Sequence, residues 1–150
     1  MVDTARQIEN LVYTYAERID AGDLEGVGEL FSHGRILSRP DAPPEETFEG
    51  REAVTALYRG AVRIHDDGTP RTRHVTTNVI VEVDDPAGMA HSRSVYTVFQ
   101  QTADLPLQPI VSGRYDDTFH RLDGRWWFHT RTMFIDLVGD MSSHLLIEIG

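Results

Sequence analysis

The chain is 150 residues long, enough for one domain with a sizeable core, and it is 40% hydrophobic and 25% charged, an ordinary globular balance. Its formal net charge is −10, from 24 acidic and 14 basic side chains, which disfavours binding to phosphate backbones. Cysteine is absent and every basic residue is Arg, so disulfides, thiolate metal sites, cysteine nucleophiles and lysine Schiff bases are excluded.

In chain order, Ile8, Leu11, Val12, Tyr15, Ala16 and Ile19 recur at the helical period and predict a first helix. Thr4 and Gln7 have the spacing of a capping box at its start, and Gly22 suits a left-handed cap at its end. Asp23 is placed to cap a short second helix with Leu24, Val27, Leu30 and Phe31 on its apolar side. Ser32 to Gly34 reads as a turn, Arg35 to Ser38 as a short strand, and the proline-bearing stretch 39–46 as loop. A third helix is expected from about Arg51 to Ile64, followed by a polar break at His65 to Pro70.

After Pro70 the period changes to alternation. Arg71 to Val83 predicts a long strand with Val75, Thr77, Val79, Val81 and Val83 on one face and Thr72, His74, Thr76, Asn78 and Ile80 on the other. Met89 to Gln101, Ile110 to Arg121 and Arg125 to about Leu137 predict three more strands, with Asp123-Gly124 a strong hairpin signal. The tail from Gly139 to Gly150 has no assignable pattern. Helices followed by antiparallel strands give an α+β fold, with the helices packed on one face of a strongly curved sheet, and such a cone encloses one apolar pocket. No apolar run approaches the roughly 20 residues that span a bilayer, and the N-terminus shows no signal peptide, so a soluble cytoplasmic protein without membrane contact is expected.

Few residues stand out as carriers of chemistry. Asp20 follows Ile19 at the end of the first helix, where a carboxylate opposes the helix dipole. It is either a loop residue satisfying nearby amides or an acid partner at a pocket. His74 lies on the Thr76 and Asn78 side of its strand, as a solvated or paired histidine or as a proton shuttle. Tyr15 is either core or a hydrogen-bond donor to a ligand oxygen. Arg131, in mid-strand, is solvated, paired with Asp117 or Asp136, or aimed at a ligand anion, and pairing is the commonest outcome. The remaining histidines lack zinc-site spacing, and no phosphate loop, dinucleotide fingerprint or nucleophile elbow occurs, so neither metal nor cofactor is expected.

Four segments taken in order resemble a known family: Tyr15 to Asp23, Arg71 to Asn78, Gly113 to Asp117, and Asp123 to Phe128 with Arg131. The set is similar to the SnoaL-like branch of the nuclear transport factor 2-like superfamily. The resemblance covers about Thr4 to Gly139 and implies a single domain with the cystatin-like cone. This branch includes scytalone dehydratase, lindane dehydrochlorinase, bile-acid dehydratase, polyketide cyclases and the largely structural β subunits of ring-hydroxylating dioxygenases. By that resemblance Asp20 and His74 match an acid–base dyad, and Tyr15 and Arg131 match further catalytic positions. The chain departs from scytalone dehydratase in having Ile19 before the Asp, and Val98 or Phe99 where that enzyme has a second His. It departs from the bile-acid enzyme in lacking an Asp between Met89 and Gln101.

The resemblance implies a cofactor-independent lyase of the dehydratase type. Its ligand would be small, hydrophobic and cyclic, touched by Tyr58, Asn78, Phe99, Tyr115 and Asp117. Arg131 would orient an anionic or carbonyl end. Rival readings are an isomerase or cyclase using the same pair, and a non-catalytic binding or assembly module. Relatives imply a homo-oligomer, dimer or trimer.

Overall fold

The computed structural model describes residues 3–147; Met1, Val2 and the last three residues of the unassigned tail lie outside the described residues. Helix α1 spans Thr4–Asp20 and buries Ile8, Val12, Tyr15, Ala16 and Ile19, the stripe its sequence sets out. Its cap is Asp3 rather than the expected Thr4, because the Asp3 carboxylate accepts from the Arg6 amide at 2.9 Å while the Thr4 hydroxyl donates to Asp85. Gly22 ends the turn after α1 with φ of 76°. A Cβ there would lie 2.1 Å from the Gly68 carbonyl oxygen, so the position excludes larger residues twice over.

Helix α2, Leu24–Leu30, is capped by Asp23 and packs against α3, Gly50–Ala61. Between them come β1, Arg35–Leu37, a 3₁₀ turn at Pro44–Glu46 and β2, Thr47–Glu49. The 3₁₀ turn and β2 fall in or beside the stretch read as loop; three-residue elements are too short to show a period. Helix α3 stops before the expected Ile64 because Val62 turns extended and bridges to Leu145 of the tail.

The long strands are β3, Thr72–Asp84; β4, Met89–Gln100; β5, Gln108–Leu122; and β6, Arg125–Val138. They form an antiparallel meander within a six-stranded open sheet ordered β2-β1-β6-β5-β4-β3, β1 running parallel to β6. The fold is α+β and cystatin-like, with α1 lying against β3. Asp123 and Gly124, at φ of 51° and 78°, make the two-residue hairpin turn. β5 starts at Gln108 rather than the expected Ile110 and so includes Pro109, opposite Phe99 at a bulge, where a strand tolerates proline.

Four irregularities bend the sheet, between Thr77 and Ile80, Val98 and Phe99, Ser112 and Gly113, and Thr118 and Phe119. The first overturns the expected two faces of β3. Asn78 sits in the left-handed region at φ of 54°, and the extra residue exchanges the faces. Before it Thr72, His74 and Thr76 turn inward while Val75 is exposed; after it Val81 and Val83 pack on the core and Ile80 is exposed.

Candidate active site

Helix α1 ends with Asp20 pointing at the start of β3. The carboxylate accepts from the Thr72 hydroxyl at 2.8 Å, from the His74 amide at 2.7 Å and from His74 Nδ1 at 2.6 Å. These donors answer the unfavourable helix dipole at that position. They also fix the imidazole: Nδ1 carries the proton toward Asp20, leaving Nε2 as the nitrogen free to act on a ligand. The His74 side chain is only 6% exposed and the Asp20 side chain 16%.

His74 lines a half-open cavity of about 230 Å³ between α1, α3, the inner sheet face and the C-terminal segment. Its wall is mainly aliphatic, with the rings of Tyr15, Tyr58, Tyr96 and Tyr115 and a second imidazole, His144. Tyr15 and Tyr58 hydrogen-bond to each other, and Tyr96 donates to the Phe134 carbonyl at 2.8 Å. Gly113 makes this last bond possible, since a Cβ there would lie 1.9 Å from that carbonyl oxygen and 2.8 Å from the Tyr96 ring. Burial raises the pKa of all four phenols, Tyr96 to about 12, so each is a neutral donor at physiological pH.

Of the residues expected at the site, Tyr15, Tyr58, Tyr115 and His74 line the cavity, with Asp20 behind the imidazole. Four do not. Arg131 is fully buried, its Nε and Nη2 donating to the Asp117 oxygens at 2.8 and 2.9 Å. Its guanidinium lies 3.6 Å from the centre of the Tyr115 ring and 4.3 Å from that of Tyr15. Arg131 and Asp117 therefore neutralise each other beneath the aromatic wall and offer nothing to a ligand anion. Burial raises the Asp117 carboxyl, opposed by Arg131; burial would lower the Arg131 guanidinium, but Asp117 overrides this and holds it up. Asn78 is spent on the β3 bulge and is exposed on the outer face, beside Arg93 and Phe134. Phe99 pairs with the exposed Arg73, on the outward side, and Val98 takes the inner position.

His144 was missed. It lies in a segment with no periodic pattern, and only the fold brings it beside His74, with ring centroids 6.1 Å apart. Among the described residues no group of three or more His, Asp or Glu is arranged to hold a metal ion.

The SnoaL-like domain model matches residues 1–132. The chain belongs to this SnoaL-like family. Solved structures agree in fold. A Mycobacterium tuberculosis protein of unknown function is 26% identical with a TM-score of 0.68, over 89% of this chain and 72% of that one. A Novosphingobium aromaticivorans protein named, provisionally, a scytalone dehydratase is 23% identical with a TM-score of 0.69, over 91% and 86%. A nuclear transport factor 2-like protein with a cystatin-like fold from the same organism is 23% identical with a TM-score of 0.71, over 93% and 85%. The SnoaL-like family includes polyketide cyclases and dehydratases.

Proposed function

We propose that this SnoaL-like protein is a cofactor-independent lyase of the dehydratase type. The supporting observation is the 2.6 Å contact between Asp20 and His74 Nδ1 on the wall of an apolar cavity. His74 Nε2 takes a proton from a carbon next to a carbonyl, and the C–H electron pair becomes an enolate. The imidazolium, stabilised by Asp20, returns that proton to a hydroxyl on the adjacent carbon. The C–O bond breaks, water departs and a C=C bond forms. Tyr15, with Tyr58 hydrogen-bonded to it, stabilises the enolate oxygen as a neutral hydroxyl donor.

The test uses 3-hydroxy-1-tetralone, a small cyclic β-hydroxy ketone. The expected product is lighter by one water. Replacing His74→Ala is expected to cost on the order of 10²–10⁴-fold in rate, and Asp20→Asn a comparable amount, with the fold unchanged by circular dichroism. Deuterium uptake from solvent without loss of water would instead favour an isomerase or cyclase. Turnover unchanged in His74→Ala would refute the dyad.

A further inference from the structure

The cavity has a second imidazole from an unrelated part of the chain. His144 lies beyond residues 1–132 that match the family. The segment carrying it is tied down by backbone bonds, Arg63 N–H to the His144 carbonyl and Leu146 N–H to the Ala61 carbonyl, each at 2.8 Å. The Gln100 side-chain amide and the His65 ring both bond the Ser143 carbonyl, at 3.0 and 2.8 Å. His144 is thus held 5% exposed on the cavity wall, and its buried Nδ1 has no hydrogen-bond partner among the described residues. Ser92, Ser94, Gln100 and Arg131 each have one such atom too, but of these residues only His144 lines the cavity.

The other polar groups of the wall each have a partner within the protein, and the lyase reading already gives the tyrosine pair and His74 Nε2 tasks of their own. Tyr15 and Tyr58 are bonded to each other and Tyr96 to a backbone carbonyl, while His74 is committed through Nδ1 to Asp20. Among the described residues no Arg, Asp or Glu side chain lines the cavity.

We propose that His144 is a substrate-binding residue that hydrogen-bonds an uncharged oxygen of the ligand, and that the cavity takes neutral one- or two-ring molecules and rejects carboxylates. The ring meets the chemical requirement. Burial first, and His74 and His65 after it, depress its pKa to about 4 against the opposing pull of Asp20, so at neutral pH it has one N–H donor and one acceptor. A carboxylate would have to lose its hydration with no cation to receive it. The volume of about 230 Å³ is below the usual range for drug-sized ligands of roughly 300–1,000 Å³, which fits one or two rings. This inference rests on the same cavity as the lyase reading, but binding is measured without turnover, so either can fail alone.

The probes are 2-naphthol, naphthalene and 2-naphthoate, titrated at pH 7.5 into the full chain with ¹⁵N-labelled histidines. Bound 2-naphthol is expected to shift the His144 ring nitrogens. Its affinity should fall about tenfold in His144→Phe and largely return in His144→Gln, while naphthalene binds wild type and His144→Phe alike. The carboxylate should bind at least about tenfold more weakly than 2-naphthol. Failure of wild type to bind 2-naphthol, unmoved His144 resonances on binding, equal affinity in His144→Phe, or tight binding of 2-naphthoate would each overturn the proposal. The wild-type shifts decide the matter if His144→Phe proves unstable.

Discussion

Asp20 and Asp117 show two ways of keeping a carboxylate inside this protein. Asp20 is half-buried at a helix end and is satisfied by a hydroxyl, an amide and an imidazole. Asp117 is wholly buried and depends on one partner, Arg131, whose Nη1 is left without a hydrogen bond. The two kinds of site respond differently to mutation. Replacing Arg131→Met leaves an uncompensated buried charge, expected to cost about 3–5 kcal/mol in urea unfolding. Replacing both, Arg131→Met with Asp117→Leu, removes the charge as well and should recover most of that loss. A single-variant cost below about 1 kcal/mol would mean that the pair does not support the aromatic wall.

At the scale of elements, the C-terminal segment is expected to dock less firmly at low pH. The titratable groups facing His144 are His74, Asp20 and His65, and the balance leaves its pKa at about 4, below the ordinary 6.5. An undocked or unfolded His144 binds its proton first, so the docked state loses stability as pH falls from about 6.5 toward about 4 and is unaffected above that window. The whole change is on the order of 3 kcal/mol. Hydrogen exchange at Leu145 and Leu146 amides, corrected for the intrinsic rate, should therefore accelerate between pH 6.5 and pH 4.5. Flat protection across that range would contradict it. The sequence signals follow the same divide between periodic and irregular segments. The α1 stripe, the Asp123-Gly124 turn and the four long strands announce themselves by period, and Asp20 and His74 by their place in an ordered set of segments. Asn78 misled because the bulge at its own position changes which face follows, and strict alternation does not register an inserted residue. Phe99, by contrast, lies on the outward side of a strand that alternates without a break, the extra residue at its register shift being Ile110 of β5. His144 escaped because a tail held by backbone bonds needs no apolar period.

For the whole molecule, the sheet has a filled face and an open one. The inner face closes over the helices and the cavity. The outer face carries a row of Val75, Thr97, Ser112 and Leu137, aligned strand to strand, with Leu137 69% exposed and Val75 37%. Ile80 lies exposed on the same side, and Phe134 sits under the Arg114 guanidinium. The bulge in β3 means that this patch is not the unbroken valine stripe its sequence suggests, since Val81 and Val83 turn inward. Of its charges Arg114 is matched to Asp136 at 2.8 Å, while Arg73, exposed beside Val75, has no ion pair among the described residues and would have to stay at the rim. A face that exposes Val75, Ile80 and Leu137 suits a second copy of the same chain, and a homo-oligomer through this face is the expected state. Sedimentation at micromolar concentration should give a multiple of 17.0 kDa, and the double replacement Val75→Glu with Leu137→Glu should reduce it to one chain without loss of helix signal. A wild-type mass of one chain at that concentration would leave the patch as ordinary exposed surface.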